Sequence, residues 1–270
     1  MTITPDDAKQ ILNLNEGGVA VKYEYTKQLS WAQLYDLCNK YLVWYKETAY
    51  IEFNRCFSYK NRQFNMSQLI NMFRGTAKKE KQGPLSDAEV DAAATAYILV
   101  VLGCIIFPNT SGNRVDANLL QLLDPLDKVA EYSWGTTTIA FLMEELRKAS
   151  RLRTSQTSGN VSLFQTWIYD HYPGLELAEL NPAWQRGAPR GTKYKFTKNP
   201  TRSKDEQLVN LREKLDSLKA SDVCFDPYKK ERAGGHIGPR SELSHYFGPL
   251  WHHTGYVMYN GSRVIRQHGA

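Results

Sequence analysis

The sequence has 270 residues, a net charge of +6, and 42% hydrophobic against 23% charged residues. These globular values exclude a largely disordered chain, and the length suffices for one large domain or two small ones with a hydrophobic core. The four cysteines, Cys38, Cys56, Cys104 and Cys224, are too scattered for a disulfide framework or a small zinc module, so free buried thiols are the simpler interpretation.

The first predicted elements are short helices. Thr4 can cap a helix that has Pro5 at its first position. A second helix, capped by Ser30, is predicted over residues 31–46, where apolar side chains recur at three- and four-residue spacing. A further short helix is predicted near residues 67–74.

The strongest local signal is the capping box of Ser86 and Glu89. In such a box, the side chain of each residue accepts a hydrogen bond from the backbone amide of the other at the start of a helix. The segment that follows, residues 92–107, is apolar on nearly every face. A helix of this kind is expected at the centre of a domain, covered on all sides. The polar residues 109–114 then predict a turn.

Three more helices are predicted in the middle of the chain. They lie at residues 119–126, at 134–149 with Ser133 as the cap, and at 161–171. We found no internal repeat.

Composition predicts a loop over residues 181–200, which lack periodicity and are rich in Pro, Gly, Lys and Arg. A second capping box at residues 203–206 begins a polar helix that ends near Ala220. Near the C-terminus, the Asn260–Gly261 pair predicts the two-residue turn of a hairpin, with strands at residues 256–259 and 263–266.

These elements predict a mainly α fold, a single irregular helical domain over residues 1–270 with a small C-terminal β-hairpin. Within it we expect a helical core at 1–180, a basic loop at 181–202, and a C-terminal helix and hairpin part at 203–270. No apolar run approaches the roughly 20 residues needed to cross a bilayer, and the N-terminus resembles no secretory signal. We therefore expect no membrane contact and a soluble, intracellular protein.

Catalytic motifs are missing from the sequence. It has no G-x-S-x-G nucleophile motif and neither of the glycine-rich phosphate-loop patterns. The neighbouring His252 and His253, with His236 and His245 nearby, lack the spacing of metal ligands, so a surface or packing role is expected. We predict no catalytic, cofactor-binding or metal-binding residue.

One electrostatic feature stands out. Between residues 186 and 204 there are seven basic residues, no acidic residue and two interleaved aromatic rings. Cations for phosphates and rings for base stacking are the combination that nucleic-acid binding uses. The predicted contacts are Arg186, Arg190, Lys193, Tyr194, Lys195, Phe196 and Lys198. A solvated loop is the alternative.

Several segments of the chain resemble motifs of one family, and they follow one another in the order and at the spacing that the family has. The segments are LGCIIFP (102–108), SGNRV (111–115), YSWG (132–135), LFQTWIYDHYP (163–173), VCFDPY (223–228) and RVIRQHG (263–269). Together they resemble the plant mobile domain over nearly the whole chain, with Phe225 where the family usually has Trp and His268 where it has Phe. Residues 1–4 resemble the end of a segment that usually begins the domain, so an N-terminally short domain is expected.

The resemblance implies a function that composition does not. Plant mobile domains occur in transposons and in nuclear host proteins of the Maintenance of Meristems type. Those proteins support meristem maintenance, transposon silencing and genome stability, and work with a protein phosphatase 7-type partner. Chromatin or silencing factors are further expected partners.

The resemblance carries no established catalytic residue. The family is sometimes labelled aminotransferase-like, but a pyridoxal phosphate site needs a Schiff-base Lys, a pyridinium partner and a phosphate cup. Because the sequence does not let us assemble these, no cofactor is expected.

We therefore expect a non-enzymatic nuclear interaction module. The alternatives are a transposon-derived nucleic-acid-binding protein that uses residues 186–204, and a cryptic enzyme. The exposed family turn is the best candidate for functional residues, namely Ser111, Gly112, Asn113 and Arg114. Its alternative role is structural, with Ser111 and Asn113 capping helices and Arg114 pairing with a carboxylate.

Overall fold

The computed structural model describes residues 1–21, 25–55, 62–151, 156–195 and 203–267. The mainly α class and the C-terminal hairpin are confirmed. The α-helices are α1 (Pro5–Leu12), α2 (Trp31–Leu42), α3 (Lys46–Arg55), α4 (Met66–Phe73), α5 (Thr76–Glu80), α6 (Asp87–Val101), α7 (Trp134–Ala149), α8 (Val161–His171), α9 (Lys204–Asp216), α10 (Lys229–Ala233) and α11 (Gly261–Gln267). The strands pair in consecutive order as β1 (Gln63–Asn65) with β2 (Arg114–Asp116), β3 (Glu179–Leu180) with β4 (Tyr194–Lys195), and β5 (Phe247–His252) with β6 (Gly255–Asn260).

The chain divides into two compact units that are discontinuous in sequence. Unit 1 comprises residues 1–16, 161–248 and 258–270, and unit 2 comprises residues 17–160 and 249–257. These boundaries differ from the predicted division into a core that ends at residue 180 and a C-terminal part.

Helix starts follow the local capping signals. The capping boxes of Ser86 with Glu89 and of Ser203 with Glu206 both form, as predicted. Ser133 is the N-cap residue of α7, as predicted, but its side chain makes no capping hydrogen bond. Helix α3 was not predicted, because few of its residues face the core and its apolar periodicity is weak.

A group of aromatic rings packs together in the core of unit 2. Phe53 and Phe64 are buried and stack with centroids 4.9 Å apart, and Trp44 meets Phe64 edge-on at 5.7 Å. Helix α6 contacts α2 and α4 beside them. Large rings packed in this way bury much apolar surface, which stabilises the unit.

The α-helix of α6 widens into a π turn at Leu102–Ile106. Gly103 lies in this turn, against the buried Val115 of β2. A side chain at position 103 would prevent this close approach, which gives a structural reason for glycine there.

Replacing Gly103 by Ala should lower the free energy of unfolding by about 1–3 kcal/mol. The added Cβ would lie 2.8 Å from Val115 Cβ and 3.0 Å from Met66 Sδ, a clash that outweighs the higher helix propensity of Ala. Urea unfolding measures the effect. Gly83→Ala is the control, since a Cβ there meets no atom within 4 Å, and equal losses for both variants would contradict the prediction.

The prediction that α6 is covered on all sides is wrong. Val90, Tyr97 and Val101 are 48%, 44% and 41% exposed along one side of the helix. The continuous helix Asp87–Ile106 has 20 residues, longer than the apolar run expected from the sequence. Within the described residues it alone is long and apolar enough to span a membrane, but core helices of soluble proteins meet that criterion too, and 44% of its apolar stretch is buried.

The C-terminal hairpin exists, but its predicted turn is wrong. Its strands are β5 and β6, which meet at residues 253–254, and residues 261–267 form α11 instead of a strand. Asn260 Oδ1 accepts a hydrogen bond from the Ser262 amide, as a helix cap does. A Cβ on Gly261 would lie 2.2 Å from the carbonyl oxygen of His245. The pair therefore begins a helix in a tightly packed place.

Candidate functional site

A buried carboxylate organises unit 1. Asp170, on α8, has a fully buried side chain. Arg190 binds this carboxylate bidentately, with Nε and Nη2 each 2.6 Å from a carboxylate oxygen. Lys193 Nζ at 2.8 Å and the Tyr194 hydroxyl at 2.6 Å donate to the same carboxylate, and Arg190 Nη1 reaches Glu231 at 2.5 Å. We call these five residues the Asp170 cluster.

The neighbouring cations keep the Asp170 carboxyl group ionised. Burial acts to raise the pKa of Asp170, but Arg190 and Lys193 outweigh it and keep that pKa below the usual range. Burial and the neighbouring Asp170 carboxylate raise the pKa of Tyr194 far above its ordinary value, so the phenol stays a donor. The cluster is therefore a paired ionic core.

This arrangement changes the interpretation of the basic stretch. Arg190 is only 5% exposed, and Lys193 and Tyr194 are bound to Asp170, so these three side chains serve the interior of unit 1. The exposed cations among the predicted contacts are Arg186 and Lys195. Phe196 and Lys198 lie outside the described residues. Nucleic-acid binding by this stretch remains a prediction.

A second polar cluster lies near the N-terminus. Asp7 closes the capping box of α1 with Thr4 and accepts a hydrogen bond of 2.7 Å from the Tyr228 hydroxyl. His171 Nε2 lies 3.6 Å from the same carboxylate, while His171 Nδ1 lies 2.7 Å from the Cys224 carbonyl. Because a carbonyl only accepts, Nδ1 must carry the proton there.

Two arginines extend this polar interior. Arg232 bonds to both Asp6 and Asp226, and Arg240 Nη2 lies 2.6 Å from Asp226. Burial raises the pKa of Asp6, whereas Arg232 and Arg240 lower that of Asp226 against the effect of burial. Unit 1 thus contains buried and partly buried ion pairs in addition to its apolar core.

A polar cleft of about 210 Å³ opens beside the Asp170 cluster. Its lining residues are Lys9, Gln10, Asn13, Trp184, Gly187, Ala188, Pro189, Arg190, Glu231, His236, Ile237 and Gly238. Arg190 aims three N–H groups at Asp170 and Glu231, and Lys9 pairs with Glu16 at 2.8 Å.

The side chains that line this cleft are mostly polar or charged. Its lining residues include no hydroxyl or thiol side chain that could act as a nucleophile. Nor do the described residues bring together three His, Cys, Asp or Glu side chains that could hold a metal ion. Of the cysteines that the structure describes, Cys38 is buried, Cys224 is half-buried and Cys104 is exposed, all as free thiols.

Asn113, in the family turn at residues 111–114, makes hydrogen bonds that stabilise unit 2. Asn113 Oδ1 accepts hydrogen bonds from the Ser67 amide at 3.2 Å and the Ser67 hydroxyl at 3.1 Å, at the first turn of α4. The Asn113 carbonyl also accepts from the Met66 amide, and Gly112 has a φ of 69°. The contacts of Asn113 are thus those of a helix cap between distant parts of the chain.

The adjacent histidines lie among aromatic rings of unit 2. The His253 ring centroid is 4.1 Å from that of Phe107, 5.2 Å from Phe141 and 5.5 Å from Tyr25. Burial, with the neighbouring His252, lowers the pKa of His253 to about 3. Burial lowers that of His252 to about 4, partly offset by Glu144. Both imidazoles are therefore neutral packing groups at pH 7.

The hairpin presents an apolar outer side. Burial alternates along β5, and the outward residues of the two strands include Phe247, Tyr256 and Met258, which are 68%, 54% and 59% exposed. Trp251 packs against Tyr256 with ring centroids 5.0 Å apart. We call Phe247, Trp251, Tyr256 and Met258 the hairpin patch. Sequence reasoning missed it, because the hairpin was placed several residues too late.

The comparisons with known proteins agree with the resemblance. A family model described as "Plant mobile domain" matches residues 1–270. Protein MAIN-LIKE 2 of Arabidopsis thaliana is 32% identical over 165 residues, which are 59% of this chain and 24% of that protein. Protein MAINTENANCE OF MERISTEMS of the same plant is 29% identical over 141 residues, covering 52% of this chain and 28% of that protein.

A third relative is named as a phosphatase homolog. The serine/threonine-protein phosphatase 7 long form homolog of Arabidopsis thaliana is 27% identical over 143 residues, which are 49% of this chain and 11% of that protein. The chain thus spans less than a third of the length of each of these three relatives. No solved structure matches.

Proposed function

The chain belongs to the plant mobile domain family, and from that premise we propose that it is a non-enzymatic protein-interaction module of nuclear complexes. Its role is in meristem maintenance, transposon silencing and genome stability, with a protein phosphatase 7-type partner. The names of two relatives support this role, one being MAINTENANCE OF MERISTEMS and the other a phosphatase 7 long form homolog. Nuclear location and silencing rest on the resemblance.

The hairpin patch carries the interaction proposal. Scattered apolar residues on a surface need no explanation, but adjacent aromatic and Met side chains on one side of a hairpin are the composition of interface centres. Phe247 and Met258 are each more than half exposed. The charged side chains of the Asp170 cluster, by contrast, are paired with each other in the interior of unit 1.

Binding to a purified phosphatase 7 long form homolog tests the proposal. Phe247→Ala combined with Tyr256→Ala and Met258→Ala should weaken binding at least tenfold, because exposed rings and Met supply most of the buried area at such a patch. The readout is titration calorimetry with the full chain.

The matched control is Tyr45→Ala combined with Leu180→Ala, which removes side chains 72% and 65% exposed elsewhere. That variant should bind like the wild type. No binding by the wild type, or equal binding by the hairpin variant, would overturn the proposal.

A further inference from the structure

A small cavity lies in the interior of unit 1. Asp7 of α1, His171 at the end of α8 and Ser244 of the short 3-10 turn Glu242–His245 are among the residues that line it. It leaves about 10 Å³ for the centre of a water-sized molecule, and one water molecule needs roughly 10–15 Å³ by this measure. We call it the His171 cavity.

Two buried polar side chains line the His171 cavity without a protein partner for one of their atoms. His171 is 2% exposed and Ser244 is 1% exposed. Neither His171 Nε2 nor Ser244 Oγ has a hydrogen-bond partner among the described residues. Proteins satisfy nearly all of their buried polar groups, so two such atoms at one cavity indicate a bound molecule that contacts both.

His171 needs a hydrogen-bond donor at Nε2. Its Nδ1 donates to the Cys224 carbonyl at 2.7 Å, so Nε2 of the neutral ring is an acceptor only. Asp7 Oδ1 lies 3.6 Å from Nε2 and is an acceptor as well. That distance exceeds the length of a direct N–H···O hydrogen bond, which is about 2.7–3.2 Å. A donor between the two atoms would satisfy both of them.

Water has the hydrogen-bonding groups that this cavity lacks. Asp7 Oδ1 accepts a hydrogen bond of 2.7 Å from the Tyr228 hydroxyl and, as a carboxylate oxygen, can accept another. The Ser244 hydroxyl has a proton to donate. A molecule that donates twice and accepts once therefore satisfies His171, Asp7 and Ser244 together, and water does so within the available room.

From these observations we infer that the His171 cavity binds one ordered water molecule. It donates hydrogen bonds to His171 Nε2 and Asp7 Oδ1 and accepts one from the Ser244 hydroxyl, and three partners are usual for a buried water. The water thus joins α1, the end of α8 and the turn Glu242–His245, which are distant in sequence. The inference does not rest on the proposed function, because it concerns the interior of unit 1 and not the hairpin patch.

A high-resolution crystal structure of the full chain tests the inference directly. It should show one water molecule within about 2.7–3.2 Å of both His171 Nε2 and Ser244 Oγ. A structure without a water molecule there, or with His171 Nε2 bonded directly to a protein group, would overturn it.

Oxygen-17 relaxation dispersion tests the site in solution, because it detects long-lived internal water and is insensitive to protons exchanged from hydroxyl groups. Ser244→Val removes the hydroxyl and fills the cavity with methyl groups, so the dispersion should fall by the contribution of one water molecule. Ser262→Val makes the same change at an exposed serine and should leave the dispersion unchanged. Circular dichroism checks that both variants fold. An equal dispersion in Ser244→Val and the wild type would contradict the inference.

The protonation of His171 provides a test on the wild-type chain alone, which holds even if Ser244→Val does not fold. Nitrogen-15 NMR at pH 7 should show a neutral ring that carries its proton on Nδ1. A ring protonated on both nitrogens would donate to Asp7 itself and would overturn the inference. The hairpin variant should keep the water signal, so failure here is distinguishable from failure of the proposed function.

Discussion

Replacing Asp170 by Asn should lower the free energy of unfolding by about 3–5 kcal/mol. The substitution keeps the shape of the side chain but leaves Arg190 and Lys193 without the carboxylate that both of them bind. Arg190 is only 5% exposed, so water replaces the lost carboxylate poorly. Since domains are stable by only about 5–15 kcal/mol, this single change should bring the protein near the limit of folding at 37 °C.

The control for this prediction is Asp216→Asn. Asp216 also pairs with an arginine, Arg212 at 2.9 Å, but the two side chains are 63% and 77% exposed. An exposed pair of this kind contributes about 0.5 kcal/mol. Equal losses in urea unfolding for the Asp170 and Asp216 variants would contradict the internal role of the Asp170 cluster.

A double-mutant cycle separates the pair from its surroundings. Arg190→Gln alone should also destabilise the protein, because it leaves Asp170 and Glu231 with less compensation. Asp170→Asn together with Arg190→Gln should cost less than the sum of the two single variants, since residues of one network couple by about 0.5–3 kcal/mol. Strict additivity would mean that the two side chains do not interact.

Unit 2 should lose stability in mild acid because of His252 and His253. In an unfolded chain both imidazoles titrate near 6.5, whereas in the folded protein their pKa values are about 4 and about 3. Below pH 6.5 the unfolded state therefore binds more protons, and the free energy of unfolding falls as the pH falls towards those folded values. At pH 5 the loss relative to pH 7 is about 2 kcal/mol for each histidine.

The variant His253→Phe should remove roughly half of this acid sensitivity. Phe is another flat ring for the space between Phe107 and Phe141, and it cannot be protonated. The measurement is the free energy of unfolding at pH 7 and pH 5 for both proteins. His245→Gln, which alters an exposed histidine, is the control for the chemical change. An unchanged acid loss in His253→Phe would rule out the buried ring as its cause.

The candidate site shows where sequence reasoning succeeds and where it stops. The sequence shows correctly that residues 186–204 form a run of cations. In the structure, however, Arg190 of this run forms ion pairs inside unit 1. Its partners Asp170 and Glu231 lie 20 and 41 residues away in the chain. Composition counts charges over short windows, so it cannot tell that a carboxylate from α8 neutralises this arginine.

The sequence by itself determined what depends on neighbouring residues. The capping boxes of Ser86 with Glu89 and of Ser203 with Glu206 form because each links residues three apart, a distance that helical geometry fixes. The family was likewise readable, since its motifs follow in order along the chain.

Only the tertiary structure decided which of these elements are covered and which charges are paired. Asp7 bonds to Tyr228 across 221 residues, and α6 buries one side while it exposes Tyr97 and Val101. Both outcomes depend on the packing of segments that are distant in sequence. Local propensity carries no information about that packing, because it depends only on residues that are neighbours in the chain.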